Sequence, residues 1–227
     1  LEIGMVFMDF LDMVDITGDF GSPYGTGPGT CAWSFDVSDY RHLLVGDKDI
    51  RLQVDSWIGD TEGKGWILDV KFLFYPGEPS FEATEVHNLW TQKHLVFGDP
   101  SNPVQAHLTP LTFDVPADTV KAVVRVTTTG HGQGNTDNAA EFSLKDHHVK
   151  AGDSTHSWTL WRDDCDQTTC SGQGGNWWPG RAGWCPGDAV QPHDVDVTSQ
   201  IANGSITVDY DIDPYENCCH PDNASCD

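Results

Sequence analysis

Ile50-Arg-Leu-Gln-Val-Asp55 is the stretch whose pattern decides the fold. Ile50, Leu52 and Val54 fall on one face and Arg51, Gln53 and Asp55 on the other, the period of two that a strand shows when one side meets a core and the other meets water. Trp66–Tyr75, Leu111–Val115, Val120–Thr128 and Ile206–Ile212 read the same way, separated by clusters of Gly, Pro, Asn and Asp. No segment sustains a 3.6-residue period. The nearest helical candidate is a turn or two around Asp39–Val45, with Ser38 available as its N-cap. An all-β chain is therefore expected.

A local device recurs along the sequence. Asp36-Val-Ser38, a short turn, Gly46 and a strand from Ile50 are echoed by Asp196-Val-Thr198, a short turn, Gly204 and a strand from Ile206. Two copies of one strand-entry device suggest two β-sandwich units of similar build. The Pro/Gly cluster Tyr75-Pro-Gly-Glu-Pro79 marks the expected junction, giving a first domain over 1–79 and a second over 80–227.

Composition narrows the function. The 227 residues carry 12 Lys+Arg against 35 Asp+Glu, a net charge of −23. Such a chain does not hold a phosphate backbone through counterion release or dock on an anionic membrane, so neither nucleic acid nor membrane insertion is expected. No run of 18 apolar residues occurs, and neither a membrane-spanning helix nor a signal peptide is read in the sequence. Of the acids, 28 are Asp and 7 are Glu. Aspartate suits turns and caps, which agrees with a loop-rich β protein. Seven cysteines and the sequons at Asn203 and Asn223 fit an oxidising, secreted or periplasmic setting. The odd cysteine count leaves one unpaired or bonded outside the chain, as expected of a piece of something longer.

The polar residues of interest concentrate between Thr127 and Gly187. His131 sits between two glycines after a strong strand, where backbone can approach a ligand closely, or where a histidine is simply solvated. Glu141 lies between apolar neighbours at an expected strand start. Closed off from water its pKa would rise, and on an open surface it would not. Trp158, Trp161, Trp177, Trp178 and Trp184 fall close together among Gly and Asn, suiting either a core or the apolar faces and hydroxyl rims of sugars. His147 and His148 are adjacent and on a strand would point to opposite faces. No His-x-His, His-x-Met or Cys-x-x-Cys spacing occurs, so no metal site is expected. Calcium is conceivable at Asp209, Asp211 and Asp213 with Glu216, or at Asp163, Asp164 and Asp166, although a solvated acidic face accounts for both groups.

Five motifs in order carry a resemblance: Thr128-Thr-Gly-His-Gly132, Ala140-Glu-Phe142, Leu160-Trp-Arg-Asp-Asp-Cys165, Gly174-Gly-Asn-Trp177 and Arg181-Ala-Gly-Trp-Cys-Pro-Gly187. Together they resemble the bacterial peptide-N-glycosidase F family, with the heptapeptide from Arg181 the most specific. The resemblance implies two adjacent antiparallel jelly rolls and hydrolysis of the amide that links Asn to the innermost GlcNAc of an N-glycan. It places Glu141 at the family's essential glutamate, Arg181 at a supporting arginine and Trp184 at a cleft tryptophan. Asp55 and Trp57 fall where the family has a glutamate two residues before a tryptophan, and His131 replaces a tryptophan. On this reading Glu141, Asp55 and Arg181 are catalytic and Trp184, Trp57 and His131 bind substrate. No cofactor is implied.

The resemblance also implies a Cys165–Cys185 disulfide, while the cysteines that flank the family's glutamate are Ala139 and Ser143 here. The family's primary catalytic aspartate lies upstream of the segment matching Leu1-Glu-Ile-Gly4, so the first jelly roll is expected to lack its opening strands. A separate chain or an upstream segment would complete it. The implied partner is an N-glycan or glycoprotein. The alternative is a non-catalytic glycan-binding or structural module of an extracellular assembly.

Overall fold

The computed structural model describes residues 35–49, 72–77, 83–90, 95, 98–132, 140–168 and 176–214. Regular structure among them is strands and short 3-10 turns, with no α-helix, so the all-β expectation holds. The chain divides into two compact units, one of Leu1–Asn88, Asp164–Pro179 and Cys185–Ala189, the other of Leu89–Asp163, Gly180–Trp184 and Val190–Asp227.

The second unit holds six strands: β1 (Leu111–Asp114), β2 (Val123–Val126), β3 (Asp146–Ala151), β4 (Ser154–Thr159), β5 (His193–Asp196) and β6 (Ser205–Ile212). They form an antiparallel four-stranded sheet in the order β1-β6-β3-β4 and an antiparallel pair β2-β5. Alternation is sharp where one face meets the core. On β6, Ile206, Val208 and Tyr210 are buried and on β3, His147, Val149 and Ala151 are buried, while Val124 and Val195 turn inward from the smaller sheet. All of these but His147 join Val104, Leu108 and Val197 in one hydrophobic cluster.

Several sequence expectations need correction. Phe72–Tyr75, the end of an expected strand, belong to no strand and are exposed, with Pro76 following to deny the ladder a donor. Strand β2 is shorter than Val120–Thr128 because its partner β5 offers only four residues. The β3–β4 hairpin went unpredicted. It turns on Gly152-Asp153, with Gly152 at φ +53°, the left-handed region that glycine enters without a steric penalty. Ile50–Asp55 lies outside the described residues.

The repeated device is real as local geometry. In one copy the Asp36 carboxylate accepts from the Ser38 N–H at 2.9 Å, and a 3-10 helix runs over Ser38–Leu44. In the other the Asp196 carboxylate accepts from the Thr198 N–H at 3.0 Å, ahead of a 3-10 turn over Thr198–Gln200. The linking residues Val37 (φ −110°, ψ 17°) and Val197 (φ −114°, ψ 13°) match closely. Ser38 is thus not the capping side chain. The aspartate two residues earlier forms an Asx-turn and satisfies the first helical donor.

Candidate functional site

Gly130, His131 and Gly132 follow β2, and two backbone links tie them to the segments that carry the polar groups. Gly130 donates its N–H to the Ala182 carbonyl at 3.0 Å, and Glu141 donates to the Gly132 carbonyl at 3.2 Å. Ala182 in turn donates to the Glu141 carbonyl at 2.8 Å, and Arg181 and Arg162 exchange two backbone bonds of 2.8 and 2.9 Å. Glycine is required at 130, since a Cβ there would stand 2.2 Å from the Ala140 carbonyl oxygen. At Gly183, φ is +77° and a Cβ would meet Leu160 and the Thr128 carbonyl at 2.7 Å. These contacts set three separate stretches of chain edge to edge.

On that frame Glu141 and Arg181 meet. Arg181 donates from Nη1 to Glu141 Oε1 at 2.9 Å, and the Gly132 N–H reaches Glu141 Oε2 at 3.2 Å. Glu141 retains 8% exposure and Arg181 1%. The guanidinium carbon lies 4.6 Å from the ring centre of Trp184 and 5.1 Å from that of Phe142, cation–π distances in a dry environment. Trp184 is fully buried and donates its indole N–H to the Gly130 carbonyl at 2.7 Å. His131 packs on Trp184 with ring centres 4.8 Å apart, and its Nε2 lies 2.8 Å from the Thr129 hydroxyl.

Burial dominates the electrostatics. It raises the Glu141 pKa above the ordinary carboxylate value, and the Gly132 N–H and the Arg181 charge pull back only part of the rise. Burial also lowers the Arg181 pKa, with Glu141 opposing it. The pair is a carboxylate fixed in position by a charged donor on one oxygen and a neutral donor on the other. A further lone pair on each oxygen can accept from a ligand or a water.

Glu141, Arg181, Trp184 and His131 therefore come together within one unit. Glu141 is no surface residue, and it stands on a turn ahead of β3, so its expected place at a strand start is corrected. His131 is half-buried against Trp184, which corrects its reading as a solvated turn residue. Asp55, Trp57 and Asn223 lie outside the described residues. Asn203 is exposed, at φ +53° in the Asn-Gly turn between Ala202 and Ser205. Cys165 and Cys185 are disulfide-bonded, with Cα atoms 5.2 Å apart. The Gly132 N–H was missed from sequence, and its signal is the Gly-His-Gly triplet after a strand.

One of the two acidic groups weighed for calcium has basic side chains beside it. Asp211 and Asp209 lie 2.9 and 3.7 Å from the Lys150 ammonium, and Asp213 lies 2.9 Å from His148. His147 points inward and His148 outward, as their adjacency on a strand requires.

Known proteins place the chain. The family model described as Peptide-N-glycosidase F, C terminal, matches residues 101–225. The chain is 27% identical over 211 residues to peptide-N(4)-(N-acetyl-beta-D-glucosaminyl)asparagine amidase F of Elizabethkingia miricola, covering 88% of this chain and 58% of that protein. It thus spans little more than half of that relative's length. Among solved structures it resembles PNGase F, a glycosylasparaginase from Flavobacterium meningosepticum, at 22% identity and a TM-score of 0.45, covering 61% of this chain and 42% of the other. It also resembles PNGF-II, at 24% identity and a TM-score of 0.38, over 49% and 22% of the two chains. Since the family model spans more than half of the sequence, the chain belongs to the peptide-N-glycosidase F family.

Proposed function

We propose that the protein is an N-glycan amidase that hydrolyses the amide between Asn and the first GlcNAc of an N-glycoprotein. The observation that carries this reading is the buried Glu141–Arg181 pair under Trp184, within the region that the family model matches. In the reaction water adds to the amide carbon, the C–N bond breaks, the nitrogen leaves on the sugar and the Asn becomes Asp. A base must take a proton from the water and donors must meet the charge growing on oxygen. Glu141, fixed by Arg181 and Gly132, holds the sugar or the attacking water. On this reading Asp55 assists and Trp57 and His131 meet the substrate, while Trp184, expected from the resemblance to contact it too, is fully buried and supports Arg181 and His131 from behind. The two-jelly-roll architecture and an extracellular or periplasmic location belong to the same reading, the latter supported by the Cys165–Cys185 disulfide.

A second reading is a non-catalytic glycan-binding module, favoured by the buried ion pair that already engages Glu141 with Arg181. An N-glycopeptide, offered to the protein completed by the upstream segment expected to carry the family's primary aspartate, separates the two. Conversion of its linked Asn to Asp, followed by mass spectrometry, supports the amidase. Binding of the intact glycopeptide with no conversion supports the module.

A further inference from the structure

Three side chains on the outer face of the four-stranded sheet, away from the Glu141–Arg181 pair, form a chain of hydrogen bonds. His148 on β3 stands directly opposite Ser157 on β4, and His147, turning inward, sends its neighbour His148 outward. Residues so opposed hold their Cβ atoms about 5 Å apart, close enough for their side chains to bond. His148 Nδ1 lies 2.8 Å from Ser157 Oγ, and His148 Nε2 lies 2.9 Å from Asp213 Oδ1. Asp213 follows the end of β6 and is pinned there by its own N–H, which donates to the Asp146 carbonyl at 2.9 Å.

The order hydroxyl, imidazole, carboxylate has a chemical meaning. With Asp213 accepting from Nε2–H, the ring is left with Nδ1 as an acceptor for the Ser157 proton. A hydroxyl bonded to a base that a third group orients is the arrangement of an activated nucleophile. The carboxylate also stabilises the imidazolium that forms when the proton moves. Ser157 and His148 stand on paired strands and Asp213 on a backbone bond beside them, which holds the three in register. Lys150, two residues along β3 on the same face, is engaged by Asp211 and Asp209 at 2.9 and 3.7 Å and leaves Asp213 to the imidazole. Ser157 is exposed, and the His148 and Asp213 side chains keep 21% and 50% exposure, so a solute reaches all three from solvent.

We propose that Ser157 is an acyl-accepting nucleophile, with His148 as its base and Asp213 orienting that base, and that the cluster hydrolyses activated esters. Ser157 Oγ adds to the ester carbonyl carbon while its proton passes to His148 Nδ1. The carbon–oxygen bond to the leaving alcohol breaks, and the alcohol takes that proton. Water then adds to the acyl-serine and gives a proton to His148, the carbon–Oγ bond breaks, and Ser157 recovers its hydroxyl as the carboxylic acid departs. An open sheet face imposes no fit on the acyl group, so the substrate class is esters reactive by their own chemistry, aryl esters of short carboxylic acids. The site is independent of the amidase reading, since it shares no residue with the Glu141–Arg181 pair.

The test exposes the full chain to an alkyl fluorophosphonate, which phosphonylates activated serines with loss of fluoride, and maps the modified residue by peptide mass spectrometry. Wild type should carry the label at Ser157, and His148→Gln and Asp213→Asn should acquire it about tenfold more slowly or less. Turnover is read with para-nitrophenyl acetate, which Ser157→Ala should hydrolyse about tenfold more slowly than wild type. All three side chains lie on the outer face, so their replacement leaves the core intact, and an unchanged melting temperature checks this. No label at Ser157 in wild type, equal labelling of wild type and His148→Gln, or equal ester hydrolysis by wild type and Ser157→Ala would each overturn the assignment.

Discussion

At the scale of single residues, Glu141 and Arg181 depend on each other. Glu141→Ala leaves a guanidinium buried without its counter-charge and should cost roughly 3–5 kcal/mol of stability, read by urea denaturation. Glu141→Gln keeps the shape and a carbonyl acceptor, so it should fold while losing the charge. Two buried groups contribute to the pH dependence with opposite sign. Burial, with the nearby His148 charge, lowers the His147 pKa to about 4, against 6.5 ordinarily. Between those values the unfolded chain binds a proton that the folded chain refuses. Stability from this group is therefore full above pH 6.5 and falls by about 3 kcal/mol as pH drops to 4. His147→Leu should flatten that fall. Glu141 runs the other way: its raised pKa favours the folded state in acid, and the contribution is lost as pH rises through its folded value. Glu141 and Arg181 were legible in sequence through their motifs. The Gly132 N–H was not, because a backbone donor carries no side-chain signature.

At the scale of elements, the strands the sequence disclosed are those with one apolar face. Ile206–Ile212 and Leu111–Val115 alternate clearly and became β6 and β1. Asp146–Ala151 and Ser154–Thr159 escaped notice because their inward positions include His147 and their outward ones are hydroxyls and charges. Tertiary partners make them strands: His147 bonds the Tyr210 hydroxyl and packs against the Trp158 ring at 5.7 Å. Val149, 1% exposed at the centre of β3, tests this core, and Val149→Ala should cost about 2 kcal/mol by thermal or urea unfolding. The turn at Gly130 has no slack, so Gly130→Ala should displace the 140–141 backbone and reduce any glycan binding, measured by titration with an N-glycopeptide. The Cys165–Cys185 bond closes a 20-residue separation, and replacing both cysteines by Ala should cost about 3 kcal/mol.

At the scale of the whole molecule, the net charge of −23 argues against nucleic-acid and membrane partners and names none. The proposed function rests on a few residues. One of only five arginines in the chain is buried beside one of only seven glutamates. Backbone bonds between loop segments far apart in sequence position that pair, which is why composition and periodicity reached the fold class and stopped short of the site. The most direct test of the amidase reading is to incubate an N-glycopeptide with wild type and with Glu141→Gln, and to follow conversion of the glycosylated Asn to Asp by mass spectrometry. Wild type, completed by the upstream segment expected to carry the family's primary aspartate, should convert it, and the variant in the same context should be slower by about a hundredfold or more. Equal conversion by both proteins, or none by wild type, would contradict the account.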